Sequence, residues 1–406
     1  MDIIDRILKI TEEAESPRQF FYWAALAAVA GVIKGNLKLD RFYYVLYPNV
    51  YILFVAKSGL RKGVPVHLAK QLVEGTDSNR VISGRSSVQA IVTELSQAFT
   101  KEAGGPPLTK ATAYISSGEL ATAFVRDQDA LTIMTDLYDG QYNEKWRNSL
   151  KGSGKELLEG VNVSMLGALN PTHFNDLITA KEVTGGFLAR SIVVQANKRA
   201  CKNPLTTPPK VKVELEPIID RLKIISTLKG DFEWSREGQI TYDTWYDKFN
   251  PEDYEDETGS LNRVGDTVLK VAMLIALARR GETVLRTNDI EEAIRECVPR
   301  AKAAEEFSKK GISDLGALKK RLIQILLGRD AYTISRSFVL SNYYMDFDLA
   351  ALDSVVENLE TAKIIKVERG ADQTYTLVPH VVDRFKLIVE TMENRQGEVK
   401  SVDEAS

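Results

Sequence analysis

Residues 51–63 read YILFVAKSGLRKG, and this stretch decides the predicted fold. Its first part, residues 51–55, is apolar without polar alternation, which predicts a strand buried on both faces, as in a parallel sheet covered by helices. The loop that follows leads into an amphipathic helix through Val73. Backbone N–H groups of such a loop, together with the N-terminus of the next helix, can hold phosphate oxygens. We expect Lys62 to reach the terminal phosphates.

The loop departs from the strict phosphate-loop pattern GxxxxGK[ST]. Ala56 and Arg61 replace its glycines, and Gly63 replaces the hydroxyl residue that would bind Mg²⁺. An ordinary basic turn therefore stays open as an alternative. If the loop does bind a nucleotide, the candidate binding residues are Ser58, Gly59, Leu60, Arg61, Lys62 and Gly63.

Strand and helix patterns alternate on both sides of this loop. Short apolar runs predict strands at residues 42–47, 111–115, 161–169 and 188–195, and helical patterns occupy residues 18–34 and 86–100 and resume at Leu120. Strands and helices that alternate at this spacing imply right-handed crossovers within one sheet. The sequence therefore predicts an α/β protein with a mainly parallel sheet.

The segment 201–212 contains three prolines and no periodicity, so it is predicted to be a linker that ends the core. Helical patterns follow to about residue 310. Three further helices and a hairpin, with strands at 364–368 and 374–378, then follow in winged-helix order. The predicted organisation is an N-terminal helical region (1–45), a phosphate-loop core (46–200), a linker with a helical lid subdomain (201–312), a winged-helix domain (313–392) and a flexible tail (393–406).

Composition argues against several classes of protein. Hydrophobic residues at 44% and charged residues at 27% of 406 predict a folded globular chain. Two distant cysteines and three histidines without ligand spacing argue against a disulfide scaffold or a zinc module. The longest apolar stretch, residues 20–33, is shorter than the roughly 20 residues of a bilayer span, so we expect a cytoplasmic protein without membrane contact. A net charge of −3 means that any nucleic-acid site must be local.

The string SGLRKG at residues 58–63 resembles the variant phosphate loop, roughly G-P-S-G-x-R-K-x, of phage and mobile-element replication ATPases, which are related to the RecA-like and AAA+ helicases. Other segments resemble further parts of that family in the same order. They are a helical lead-in at 16–23, the entry to the first core strand at 47–51, a Walker B strand at 113–119, a recurring LYDG motif at 137–140 and a GxxxRF-like segment at 185–190. The resemblance covers about residues 10–280 and implies a RecA-like or AAA+ core.

Three catalytic roles are predicted with these motifs. Glu119 ends an apolar strand, where a carboxylate can orient the attacking water, although it can also simply begin a helix. Asn170 can sense the γ-phosphate from the next strand tip, or it is a turn residue before Pro171. Arg190, which the resemblance places where minichromosome-maintenance helicases carry an arginine finger, can reach a nucleotide bound by the next subunit, or it forms a structural ion pair. Arg263 is placed like a sensor arginine of the lid subdomain and is a further candidate nucleotide-binding residue.

Residues 140–160 are the best candidate for a nucleic-acid site. Basic residues can hold backbone phosphates there and an aromatic residue can stack on a base, with flexibility from Gly152 and Gly154. A surface loop of mixed charge is the alternative. The candidate DNA-binding residues are Lys145, Trp146, Arg147, Lys151 and Lys155. The third helix of the winged-helix segment carries Asp348, Asp353, Glu357 and Glu360, which oppose its insertion into a DNA groove. We expect the domain to dock proteins or stabilise a ring, or to touch DNA through its wing with Lys363, Lys366 and Arg369.

These motifs together imply an ATP-dependent DNA motor, in which a donated arginine requires head-to-tail assembly. The expected form is a hexameric ring that acts with ATP and Mg²⁺ on single-stranded DNA as a replicative helicase or translocase of a phage or mobile element, with a primase or polymerase as a further partner. Two alternatives stay open. One is a P-loop relative that does not hydrolyse ATP and serves as a DNA-binding scaffold or helicase loader, which the missing Mg²⁺ hydroxyl favours; the other is a small-molecule kinase.

Overall fold

The computed structural model describes residues 1–84, 87–97, 110–120, 130–140, 145–150, 154–171, 174, 186–204, 206, 208–254, 256, 258–344, 346–379 and 381–382, with the backbone alone at 145, 147–150, 154–156, 306–315 and 317. The chain divides into two compact units, residues 1–308 and 309–406. Each unit has its own hydrophobic core.

The first unit begins with two helices and two short strands. These are α1 (Ile3–Ile10), α2 (Arg18–Ile33), β1 (Leu37–Asp40) and β2 (Val45–Leu46). The central part follows with β3 (Tyr51–Ala56), α3 (Gly63–Glu74), β4 (Arg80–Ser83), α4 (Val88–Ser96), β5 (Thr112–Ser117), α5 (Ala130–Tyr138), β6 (Lys145–Leu150), β7 (Gly154–Glu159), β8 (Asn162–Leu169) and β9 (Ser191–Ala196). The remainder consists of α6 (Glu216–Thr227), β10 (Gly230–Asp231), β11 (Glu233–Trp234), α7 (Arg236–Lys248), α8 (Val264–Arg279), β12 (Val284–Leu285) and α9 (Thr287–Leu327), the last of which runs past residue 308.

The centre of the first unit is a five-stranded, all-parallel sheet in the order β4-β5-β8-β3-β9. Every residue of β3, β5 and β8 is buried, as the apolar run at residues 51–55 predicts for a sheet that is covered on both sides. The predicted α/β class with a mainly parallel sheet is therefore confirmed.

Helices cover both faces of this sheet. Phe54 and its alternate neighbours on β3 belong to a core with α2, α3 and α8, in which the Phe54 ring stacks on Phe20 at 4.4 Å between centroids. Leu53 and the residues in phase with it belong to a second core with α4 and α5. The connection after β3 thus leaves on one face, while the connection after β5 leaves on the other. Such a reversal opens a crevice at the carboxyl ends of the strands, where ligands bind in open α/β sheets.

Several predicted elements have different bounds in the structure. Only Val45–Leu46 of the predicted strand 42–47 is a strand, because Phe42 adopts a left-handed φ of 62° at the tip of the turn after β1, where Phe42 and Tyr43 are 97% and 99% exposed. A 3₁₀ turn at Leu188–Arg190 delays the start of β9 to Ser191. The segment after the linker contains short strands as well as helices.

Helix α9 is continuous across the predicted boundary at residues 312–313. Gly311 and Gly316 lie within it, and a glycine inside a helix costs only about 1 kcal/mol, so neither residue ends the helix. The second unit continues with β13 (Thr333–Ser335), α10 (Arg336–Asn342), α11 (Leu349–Thr361), β14 (Ile365–Glu368) and β15 (Thr374–Leu377). Its strands form an antiparallel sheet in the order β13-β15-β14. The predicted helices and hairpin of this segment are present, and β13 is an addition.

Candidate phosphate-binding site

The loop between β3 and α3 presents its backbone at the carboxyl edge of the sheet. Gly59 has a φ of +87°, which favours glycine, and Arg61 has a φ of +56°. Residues 57–59 are exposed, while the Leu60 side chain is buried. Helix α3 begins at Gly63 without a side-chain cap on its first N–H groups. The N–H groups of Leu60 and Val64 donate to the carbonyls of Lys57 and Arg61. Other N–H groups of the exposed loop and of an uncapped helix N-terminus can serve as donors for an anion.

Lys62 lies inside this loop. Its ammonium group donates hydrogen bonds to the carbonyl of Ala56 and, at 3.3 Å, to that of Lys57. Burial lowers the pKa of Lys62, and the negative charge of Glu119 opposes that shift. Lys62 and Glu119, which are far apart in the chain, are therefore within electrostatic reach of each other at this edge of the sheet.

A turn after β5 carries Glu119 across the end of β8. The N–H of Leu120 donates to the carbonyl of Ala168 at 3.0 Å, and the Leu120 side chain is buried. A Cβ on Gly167 would lie 2.8 Å from Cδ2 of Leu120, so this packing requires a glycine there. Because β8 neighbours β3, the turn directs the exposed Glu119 toward the loop that holds Lys62.

Asn170 follows β8 at the same edge, since Leu169 pairs with Val55 at the end of β3. Asn170 is half-buried, and its carbonyl accepts a hydrogen bond from the N–H of Phe174 at 2.9 Å. The structure thus brings Asn170, Glu119 and the loop residues 58–63 to one edge of the sheet.

Two charged residues that the sequence did not single out brace the loop. Glu15 accepts hydrogen bonds from Nε of Arg61 at 3.2 Å and from Nη1 of Arg199 at 2.7 Å. The bond from Arg61 is the main factor that lowers the pKa of this carboxyl group. The hydroxyl of Ser16 donates to the carbonyl of Arg61 at 2.8 Å. Glu15 directly precedes the lead-in segment 16–23 of the family resemblance and Ser16 begins it, which is the one sequence signal that points to these residues.

An apolar cavity of about 650 Å³ opens beside the start of α3. Gly63, Val64 and His67 form its wall on the α3 side, and Phe21 and Leu215 contribute apolar surface. Its position next to the loop gives a molecule bound through its phosphates room for a larger, less polar part.

Described oxygen donors for a metal ion at this edge are few. Ser116 and Ser117 are buried at the end of β5, and Glu119 is the nearby carboxylate. Across the part of the chain that the structure describes, no group of three or more His, Cys, Asp or Glu residues could hold a metal ion.

Arg190 lies at the opposite edge of the sheet. It precedes β9, whose first residue pairs with Tyr51 at the start of β3, whereas the phosphate loop follows the end of β3. The six residues of β3 separate the two edges by about 20 Å. Within one copy, Arg190 therefore cannot touch phosphates on the loop. It forms an ion pair with Asp139, with a 2.8 Å hydrogen bond from Nε, and donates to the carbonyl of Gly186 at 2.9 Å.

Arg263 lies with Arg190 rather than with Lys62. It precedes α8 and lines the same cavity as Arg190 at the amino edge of the sheet. Within one copy, the structure therefore places the candidate nucleotide-binding residue Arg263 apart from the loop residues 58–63. The reason is that the N-terminus of α8 lies beside the start of β3, where Lys270 of α8 contacts Asn49.

The candidate DNA-binding residues lie on a separate hairpin. Lys145, Trp146 and Arg147 belong to β6, and Lys155 belongs to the antiparallel partner β7. Lys151 lies outside the described residues. Trp146 is half-buried and packs against the core that contains α4 and α5, so part of its ring surface is already used.

The acidic helix of the second unit has internal partners. Arg336 pairs with Asp353 at 2.7 Å, and Arg369 pairs with Glu360 at 2.7 Å. Asp348 caps α11 by accepting from the N–H of Ala351 at 2.7 Å. Glu357, the fourth acidic residue predicted for this helix, is exposed.

No protein-family model matches the chain, and no curated protein matches it. Among the described helices, none has both the length and the apolar character needed to cross a bilayer.

Proposed function

We propose that the protein binds ATP on the loop after β3 and hydrolyses it as a DNA motor that assembles head to tail. The observation that carries this proposal is the placement of Lys62 and Glu119 together at the carboxyl edge of a parallel sheet, where successive connections leave on opposite faces. A phosphate-binding lysine next to a carboxylate is the arrangement that phosphoryl transfer to water requires.

The surroundings of the loop favour a nucleotide over a simple phosphate. The exposed loop backbone and the uncapped start of α3 offer donors for the phosphates, and the apolar cavity beside Val64 and His67 accommodates a base and sugar. Glu15 contacts the loop through Arg61 and also binds Arg199.

Each polar residue has a distinct role in this proposal. Lys62 leaves its carbonyl partners to pair with the terminal phosphates, Glu119 orients a water molecule, and Asn170 contacts the γ-phosphate. Mg²⁺, when bound with ATP, would neutralise phosphate charge and contact Ser116, Ser117 or Glu119 mainly through water. Arg190 serves the nucleotide of the next copy, since it lies at the far edge of its own sheet.

The proposed motor is a RecA-like or AAA+ ring, most simply a hexamer, that moves single-stranded DNA during replication of a phage or mobile element in the cytoplasm. DNA would contact the β6–β7 hairpin through Lys145, Arg147, Lys151 and Lys155. The second unit is proposed to be a winged helix that docks proteins such as a primase or polymerase, because the carboxylates of α11 oppose a DNA groove.

A second candidate is a scaffold or helicase loader that binds ATP without hydrolysing it. Gly63 favours this candidate, because it places no hydroxyl where a phosphate loop usually supplies a ligand to Mg²⁺.

ATP binding and DNA-stimulated turnover of the wild type, Lys62→Met and Glu119→Gln test these proposals. We expect Lys62→Met to weaken ATP binding by at least about tenfold, because a charge-assisted contact is lost. We expect Glu119→Gln to keep ATP binding and to lose most of the turnover. Lys57→Met, which changes an exposed lysine of the same loop, is the matched control and should bind ATP normally.

The outcomes separate the two candidates. Wild-type turnover that disappears in Glu119→Gln supports the motor. ATP binding that depends on Lys62 without any wild-type turnover supports the scaffold. ATP binding that is unchanged in Lys62→Met would contradict both.

A further inference from the structure

A second cavity, of about 500 Å³, lies at the amino edge of the sheet. Three cationic residues line it, Arg190, Arg263 and Lys270, against two carboxylates, Asp139 and Asp266. The cavity therefore carries an excess of positive charge before the partners of each group are considered.

Both carboxylates already have partners. Asp139 pairs with Arg190, and Asp266 accepts a hydrogen bond from the hydroxyl of Tyr44 at 2.8 Å. Arg263 is exposed, and its guanidinium forms neither a hydrogen bond nor an ion pair with another described residue. Neither acid forms an ion pair with Arg263 among the described contacts, although Asp266 keeps its negative charge.

Lys270 is the unusual member of this set. It is 7% exposed on a largely buried helix, and its ammonium group donates to Oδ1 of Asn49 at 2.9 Å and lies 3.9 Å from the centre of the Tyr138 ring. No described carboxylate lies within ion-pair distance of it. The ammonium group also donates to the backbone carbonyl of Asn49 at 3.4 Å. A buried cation whose described partners are neutral oxygens and an aromatic face is costly, which suits a group that gains its counter-ion from a ligand.

The charged groups around Lys270 come from every side of the cavity. Asp139 and Arg190 face it from the end of α5 and the start of β9, while Arg263 and Asp266 face it from its own helix. Burial lowers the pKa of Lys270 to about 7. The two acids raise this pKa and the two arginines lower it, so the effects of these charges oppose each other. A bound anion would add the missing attraction.

We infer that this amino-edge cavity is a binding site for a phosphate-bearing anion, with Lys270 and Arg263 as its ligands. Paired guanidinium and ammonium groups are typical of phosphate sites, and the tyrosine rings of Tyr44 and Tyr138 leave space for an attached organic group. The anion is either free in solution or is the triphosphate of an adjacent copy. The second source rests on the head-to-tail assembly proposed above, and the first does not.

Pyrophosphate titration of the full chain in a Lys62→Ala background tests the free source, because this background weakens the loop site. We compare it with the same background carrying Lys270→Met or Arg263→Gln at concentrations where sedimentation gives single copies. We expect each added change to weaken pyrophosphate binding by about tenfold. Lys229→Met, which changes an exposed lysine elsewhere, is the control and should leave the affinity unchanged.

ATP titration of the assembled particle tests the other source, with Lys270→Met and Arg263→Gln placed in a chain whose phosphate loop is intact. If the neighbour's triphosphate is the ligand, both changes weaken ATP binding in assembled particles and not in single copies. Lack of any effect in both titrations would overturn the inference. Arg263 is exposed, so its variant keeps the test valid if Lys270→Met alters folding. The proposed function is tested separately, by the effect of Lys62→Met on ATP binding.

Discussion

At the scale of single residues, Lys270 has an environment that its local sequence pattern does not predict. The sequence contains the signal, since Lys270 is the one lysine within the apolar helix α8. Its partners Asn49 and Tyr138 lie far away in the chain, so only the structure shows that the ammonium group is buried between them. Burial without a carboxylate partner destabilises the charged form, and this has a measurable effect on stability.

We expect the stability of the wild type to rise with pH relative to that of Lys270→Met. The folded-state pKa of about 7 lies below the unfolded value, so between these values the unfolded chain binds more protons than the folded chain. The penalty is fully present below pH 7 and is relieved as the pH rises above it. From pH 6 to pH 9 the free energy of unfolding of the wild type should gain about 3 kcal/mol on that of Lys270→Met.

Urea unfolding of both chains at the two pH values measures this difference, and the titrations of all other groups largely cancel. A parallel pH dependence of the two proteins would mean that Lys270 titrates normally in the folded chain. Pyrophosphate, if it binds at Lys270, should reduce the gain by holding the ammonium group charged.

The candidate site was predictable from sequence where its residues belong to continuous motifs. Lys62 follows a buried strand and Glu119 ends another, and strands of a parallel sheet end at the same edge, so their proximity was expected. The bracing of Arg61 by Glu15 and Arg199 was not predicted, because these contacts join residues 46 and 184 positions apart. The position of Arg263 at the amino edge was not predictable from the sequence, since helix patterns do not reveal which end of a helix approaches the sheet.

At the scale of elements, the turn after α5 explains why the LYDG motif needs its last residue. A Cβ on Gly140 would lie 2.6 Å from Cγ1 of Val161 and 3.0 Å from the carbonyl oxygen of Leu137. The chain can therefore leave α5 and pass Val161 only without a side chain. The same turn fixes Asp139, which pairs with Arg190.

We expect Gly140→Ala to lower the free energy of unfolding by about 1–3 kcal/mol, the usual range for overpacking a buried contact. Thermal and urea unfolding measure this change. Gly370→Ala is the control, because the added Cβ would make only ordinary contact, at 3.8 Å from a carbonyl oxygen, and it should change stability little. An effect of Gly140→Ala no larger than that of the control would show that Val161 moves aside easily.

Element types were more predictable than element ends. The apolar runs at 51–55 and 161–169 gave buried strands because their side chains must face helices on both sides of the sheet. Where a strand begins depended on the backbone conformation of a few residues. The left-handed φ of Phe42 shortens β2, and the 3₁₀ turn before Ser191 delays β9. No periodicity in the sequence marks these points.

At the scale of the whole molecule, the positions of the loop and of Arg190 at opposite edges of the sheet give the proposed assembly a direction. The phosphate loop lies at the carboxyl edge and Arg190 at the amino edge, so the proposed catalytic site needs one edge from each of two copies. Such a contact uses different surfaces on the two partners and continues into a ring or a filament.

Mixing two inactive variants tests this arrangement. Lys62→Ala lacks the phosphate-binding lysine but still presents Arg190 to its neighbour. Arg190→Ala has an intact loop but no arginine to donate. Removal of a donated arginine from such a site lowers the rate roughly 10³- to 10⁵-fold. We expect each variant alone to be inactive and an equal mixture to recover at most about a quarter of the wild-type rate, because random head-to-tail contacts pair two intact halves about one time in four.

The control mixture combines Arg190→Ala with the double variant Lys62→Ala/Arg190→Ala and should remain inactive, because no copy then supplies an arginine. Recovery in this control, or full activity of Arg190→Ala alone, would show that each copy completes its own site and that Arg190 serves only its ion pair with Asp139.

The placement of the loop and of Arg190 at opposite edges of the sheet has a consequence for mixed populations of the protein. In the proposed ring, a copy that assembles but lacks both Lys62 and Arg190 inactivates its own site and the neighbouring site that depends on its arginine. A host that expresses Lys62→Ala/Arg190→Ala beside the wild type should therefore show a dominant-negative phenotype, stronger than that of Lys62→Ala, which still donates its arginine. A copy that cannot assemble would be harmless.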